Sequence, residues 1–190
     1  MIRKTAGALA AALGLATALA GSANAQQQPY IPLISKGFQH QFWQAVKAGA
    51  EQAGKDYNVR ITFEGPETEA MVDKQIDMLS SALAKHPAAI GFAALDSKAA
   101  IPLLKKAQAA KIPVIAFDSG VDSDVLMIIV TTDNKVVAAF AADKMAQLVG
   151  DAGEVALIVH DQTSRTGIDR RDGFVERMKS AHPKVKVVSV

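Results

Sequence analysis

The sequence predicts an α/β protein built on parallel sheet, and three observations carry that reading. Strand-like apolar runs alternate with helix-like runs from Tyr30 onward, the order that βαβ units produce with right-handed crossovers. Several strand-like runs are almost continuously apolar, as strands covered on both faces are. The helix-like runs segregate charge. In 67–86, Val72, Ile76, Leu79 and Leu83 share one face, with charged residues opposite.

Taken in order, strands are expected at 30–35, 58–64, 88–94, 112–117, 126–132, 154–159 and 184–190. Between them, 42–56, 67–86, 97–110, 134–150 and 166–181 read as helices. Thr68, Asp96-Ser97 and Asp133 suit helix N-caps, and Gly54 and Gly150 suit helix ends. The strand at 126–132 breaks the rhythm, because only the polar loop DSGVDSDV separates it from IPVIAF. A parallel neighbour calls for a dozen or more connecting residues. This strand is therefore expected to leave the first sheet and lead into a second domain, which begins with the helix from Asn134.

Ahead of this pattern, Arg3 and Lys4 precede a small-apolar stretch that ends at Ala23-Asn24-Ala25. That is the design of a secretory signal peptide cleaved after Ala25, leaving 190 − 25 = 165 residues, enough for a packed core. The chain has 21 Lys+Arg against 19 Asp+Glu, so losing Arg3 and Lys4 leaves 19 against 19. A neutral mature chain does not suggest nucleic acid or an anionic membrane as partner. With no cysteine, disulfides and thiolate chemistry are excluded.

Ligands of open α/β sheets sit beyond the carboxyl ends of strands. Those ends carry 35–43, 64–68, 94–97, 118–120, 131–134 and 160–171, a set of rings, carboxylates, hydroxyls, amides and arginines. Phosphate-loop, G-x-S-x-G, H-E-x-x-H and G-x-G-x-x-G motifs are absent, so no catalytic residue, metal ligand or cofactor is expected. The inventory suits a neutral polyol: aromatic faces cover its C–H patches while Asp, Asn and Arg meet its hydroxyls. Bland alternatives stand beside each residue. Phe42 shares a helical face with Val46 and Ala53, which fits a core role as well as ligand contact. Trp43, about 100° round the helix, is less readily explained as core. Asp118 could simply form an Asx-turn. Arg170 and Arg171 point to different sides, so at most one faces a cleft.

Four stretches, QFWQAVKAGAEQAG, IPVIAFDSG, TTDN before a helix, and TSRTGIDRRDGF, resemble periplasmic substrate-binding proteins of sugar ABC transporters, of the ribose-binding-protein type. The resemblance implies two doubly wound parallel-sheet domains joined by a hinge, with the solute sandwiched between them and delivered to a membrane permease. It implies a periplasmic monomer without catalytic activity. It divides the chain into a signal peptide (1–25), an N-terminal ligand-binding domain (26–131) and part of a C-terminal domain (132–190). By position, the family's aromatic pair falls on Phe42 and Trp43, and the polar residue two places earlier on His40. The carboxylate after the fourth strand falls on Asp118, followed by Ser119 where ribose binders have arginine. The second-domain arginine falls on Arg170, and Thr132 and Asn134 border the cleft. His40 and Ser119 change two hydrogen-bonding partners and put ribose itself in doubt. The resemblance implies further chain after Val190, so the 190 residues are expected to be a fragment or truncated product, not competent alone. The effector core of a LacI-type regulator, or a sensor for a chemoreceptor or histidine kinase, would share this fold.

Overall fold

A computed structural model of the chain describes residues 28–190; the signal-peptide reading lies outside them. Five strands, β1 (Tyr30–Ile34), β2 (Arg60–Glu64), β3 (Ile90–Phe92), β4 (Val114–Phe117) and β5 (Ile128–Val130), form one sheet in the order β2-β1-β3-β4-β5. All four pairings are parallel. Helices α1 (Gln41–Asp56), α2 (Val72–Leu83) and α3 (Ile101–Ala109) connect the first four strands. A second unit holds α4 (Asn134–Leu148), α5 (Arg165–Ala181) and the parallel pair β6 (Gly153–Ala156) and β7 (Val185–Ser189).

Each unit has its own core. In the first, Ile34, Ile90, Phe92 and Val114 from the strands pack with Leu79 and Ala82 of α2 and with Leu104 and Ala107 of α3. In the second, Ala138, Ala142 and Ala146 recur every four residues along α4 and meet Phe174 and Met178 of α5, with Val155 and Val185 beneath. Small residues let these two helices approach closely. A Cβ on Gly173 would overlap the Lys135 carbonyl and lie 2.8 Å from the Lys135 Cα.

The expectation for the strand at 126–132 is corrected. β5 stays in the first sheet, with Ile115, Ala116 and Phe117 of β4 opposite Ile128, Ile129 and Val130. The connection over 118–127 replaces the crossover helix by burying Val121 and Val125 in the same core. Its last residue, Met127, already donates to the Val114 carbonyl at 2.8 Å. The rule for crossover length reflects the need to cover the sheet, and a shorter apolar loop can do that.

The caps divide. Asp133 accepts from the Val136 N–H and Gly150 ends α4 at φ +72°, both as expected. Gly54 lies within α1, whose left-handed terminal residue is Asn58 (φ +52°); the Val59 N–H returns to the Gly54 carbonyl at 3.0 Å, a Schellman closure. Thr68 does not cap α2, which starts after Met71 without a side-chain cap. Asp96 caps the turn before α3 by accepting from Lys98 and Ala99, while α3 itself follows Ala100.

Candidate functional site

The strand order places the switch point between β1 and β3, where the chain leaves in opposite directions and ligands of such sheets bind. The loop after β1 is held from below. Ser35 Oγ donates to the carbonyls of Gly37 (2.5 Å) and Glu64 (3.1 Å). Gln75, buried on α2, donates to the Ser35 and Ala93 carbonyls (2.9 and 2.8 Å) and accepts from the Leu95 N–H (3.0 Å). One amide thus ties the exits of β1 and β3 to a helix. The loops after β1 and β2 touch so closely that a Cβ on Gly65 would overlap Ser35 Oγ.

Above this floor lies a cavity of about 580 Å³. The first unit contributes Lys36, His40, Phe42, Trp43, Glu69 and Asp118 to its walls, and the second contributes His160 and Arg170. His40 precedes the first turn of α1 and makes no side-chain cap, so its ring is not spent on the helix. Phe42 is 56% exposed and meets Trp43 edge-on, centroids 4.8 Å apart. Trp43 is buried at 2%, against Phe117 at 6.2 Å, and its indole N–H donates to Glu69 Oε1 at 2.9 Å. Of the two rings, then, Trp43 forms the buried wall and Phe42 is the exposed face. This settles for Phe42 the choice that the periodicity of α1 left open and corrects the expectation that Trp43 is the less readily buried ring. The loop before α1 and the Glu69 carboxylate give the indole a partner inside the first unit.

Asp118 has φ +60°, and Ser119 N–H bonds back to the Phe117 carbonyl at 2.7 Å. This is a γ-turn of the rare, strained kind, and strain at a non-glycine residue persists where surrounding structure enforces it, often at binding sites. Among the described residues, Asp118 Oδ2 and Ser119 Oγ are the buried side-chain atoms without a hydrogen bond, and Oδ2 has only the Lys36 ammonium beside it, an ion pair at 3.3 Å. Buried polar atoms are nearly always paired. Two such atoms side by side at the carboxyl end of a strand, one of them held only by an ion pair, leave capacity for a ligand hydroxyl.

The second unit approaches through α5. Ser164 caps it by accepting from Gly167 N–H at 3.1 Å. Asp161 buttresses the cap, accepting from the Ser164 hydroxyl (2.6 Å) and the Ser164 and Thr163 N–H groups (2.7 and 2.9 Å). Partial burial pushes the Asp161 carboxyl up. These hydrogen bonds and nearby His160 outweigh burial and hold it below its ordinary value of 3.8. A lowered folded-state pKa stabilises the fold above the unfolded value and loses that effect as pH falls through the folded one. Wild type is therefore expected to melt above Asp161→Asn at neutral pH, with the two curves converging below about pH 3.9. A constant separation down to pH 2 would contradict this cap.

Arg170 Nε donates to Asn134 Oδ1 at 2.7 Å, and Asn134 Nδ2 donates to the Thr132 carbonyl at 3.0 Å. This chain aims the arginine at the cavity, while Arg171 turns away to Asp172. Of the residues singled out from the sequence, His40, Phe42, Trp43, Asp118 and Arg170 come together on one cavity. Asn134 and Thr132 stand behind Arg170, and Ser119 lies buried beside Asp118. Sequence reasoning missed Lys36 and Glu69. Lys36 is 3% exposed, 3.3 Å from Asp118 Oδ2 and 3.5 Å from Glu69 Oε2. A lysine immediately after a buried strand was the available signal for the first; Glu69 falls one residue past the stretch considered after β2.

A two-unit α/β fold whose units face each other across a polar and aromatic cavity is the type I periplasmic binding architecture. The model of the periplasmic binding protein domain matches residues 31–190, and the chain belongs to that family. It is 27% identical over 171 residues to the D-ribose/D-allose-binding protein of Pseudomonas aeruginosa, covering 86% of this chain and 54% of that protein. Among solved structures, it is 34% identical to a carbohydrate transporter solute-binding protein of Agrobacterium radiobacter in complex with D-arabinose. The TM-score is 0.81, over 86% of this chain and 57% of that one. An ABC transporter solute-binding protein of Agrobacterium vitis with bound D-fucose is also 34% identical, with TM-score 0.79 over 84% and 56%. The chain spans about half the length of the relatives it matches. They are binding proteins and not enzymes.

Proposed function

We propose that the protein captures a monosaccharide or related polyol between its two units and delivers it to an ABC permease. The Asp118 carboxylate oxygen, which makes no hydrogen bond in its strained turn and is held only by the Lys36 ion pair, is the observation that carries this reading. Beside it stand an aromatic wall, Phe42 and Trp43, and a guanidinium aimed by Asn134. The sugars bound by the relatives have the hydroxyls and C–H faces that such a set meets. In this reading residues 26–131 form the N-terminal domain, 132–190 belong to the C-terminal one, and Thr132 to Asn134 mark the hinge. The mature protein in this reading follows cleavage after Ala25 and is a periplasmic monomer.

A thermal-shift screen with D-arabinose, D-fucose, D-ribose and D-allose, then a wider polyol library, tests the ligand class. On any hit, Phe42→Ala is expected to weaken binding about three- to tenfold, the value of one lost stacking face. Its exposed ring means the ligand-free melting temperature should barely move. No shift with any sugar, or a hit indifferent to Phe42, would overturn the assignment.

A further inference from the structure

We propose that Lys36 is a positioning residue that ties ligand capture to closure of the cleft. Its ammonium holds the Asp118 carboxylate on one side and the second unit's Thr166 on the other. The proposal rests on the cavity being the ligand site.

An ammonium has three donors, and three acceptors surround this one: Thr166 Oγ1 at 3.2 Å, Asp118 Oδ2 at 3.3 Å and Glu69 Oε2 at 3.5 Å. The Thr166 contact is a hydrogen bond, the two carboxylates are ion-pair partners, and Lys36 itself lines the cavity. The three acceptors differ in origin. Glu69 and Asp118 sit on loops of the first unit and stay beside Lys36 whatever the second unit does. Thr166 belongs to the first turn of α5 and arrives only when that helix docks.

A buried charge is costly unless every donor is met. Docking α5 therefore completes the shell of Lys36, and withdrawing it must admit water to the same point. The link extends further. Glu69 uses its other oxygen for the Trp43 indole, so one ammonium joins the aromatic wall, the Asp118 carboxylate and the closing helix. A second set of contacts steadies the same helix end. Thr163 Oγ1 donates to the Leu95 carbonyl (3.1 Å), Ser97 N–H donates to the Thr163 carbonyl (2.9 Å), and Arg165 pairs with Asp122 (3.2 Å). None of these touches the Asp118 carboxylate; Lys36 contacts both that carboxylate and the second unit.

Titration calorimetry of the full chain with D-arabinose and D-fucose tests the link, using wild type, Lys36→Met, Thr166→Val and the double variant. Each single change is expected to raise the dissociation constant at least tenfold. The double variant should be no weaker than the worse single one, because both cut the same link. Thr166→Ser, which keeps the hydroxyl, should bind as wild type does. Additive losses, losses under threefold, or a Thr166→Ser variant as weak as Thr166→Val would overturn the proposal. Should neither sugar bind, that result bears on the choice of ligand and not on the coupling, which small-angle scattering of ligand-free protein still decides. Thr166→Val is expected to enlarge the radius of gyration relative to wild type and Thr166→Ser; an unchanged radius overturns it.

Discussion

Gln75→Leu is expected to lower the thermal midpoint by roughly 10 °C, the largest stability loss from a single conservative-volume change in the first unit. The leucine would fill the space, but it would strand the Ser35 and Ala93 carbonyls and the Leu95 N–H, all three now served by one amide. Leaving a buried polar group unpaired costs about 1–3 kcal/mol, so three together cost about 3–5 kcal/mol after some relaxation. For a chain of this size each kcal/mol moves the midpoint by roughly 2–4 °C. Calorimetry at neutral pH measures it. A drop under about 3 °C would mean that the strand exits are not held in this way. The same change should also weaken any ligand, because the loops it releases carry Lys36 and lead to Asp118's neighbours.

For binding, Asp118→Gly has the largest expected effect, on the order of a hundredfold in the dissociation constant of whichever sugar passes the screen. It removes a charged acceptor, and hydrogen bonds to charged groups are worth about 1.5–3 kcal/mol, which is roughly ten- to hundredfold. Glycine adopts φ +60° without strain, so the backbone turn survives and the loss is assigned to the carboxylate. Asp118→Asn, which keeps the shape and drops the charge, should fall between the two. If Asp118→Gly binds within threefold of wild type, the Asp118 carboxylate is not a ligand contact.

How far the sequence reached follows from what kind of signal each feature leaves. Alternating apolar and amphipathic runs are long-range patterns, and they located every strand and helix to within a few residues. The exit of β5 from the first sheet was inferred from loop length, whereas the structure turns on Val121 and Val125, two apolar side chains inside a stretch that reads as polar. Capping was legible where one side chain does the work, as at Asp133. It was not legible where backbone alone closes the turn, as at Asn58. The site shows the same divide. Asp118 and Arg170 are legible because the resemblance fixes their positions in the chain. Lys36 was passed over because lysines are rarely buried, and its burial depends on Glu69, Asp118 and Thr166 converging from three distant segments. Trp43 and Phe42 are adjacent, and the partners that hold the Trp43 ring inward, Glu69 and Phe117, come from distant segments.

Trp43 is the chain's one tryptophan, and it sits in the cavity wall with its N–H on a carboxylate. The protein thus carries a built-in optical reporter. Indole emission shifts to longer wavelength with water and with nearby charge, so a solute that displaces water beside Trp43 should change both colour and intensity without any label. Excitation that selects tryptophan over the two tyrosines would read this one ring alone. Stopped-flow mixing would then resolve arrival of the solute as one event and the docking of α5 as another, in the order in which they occur.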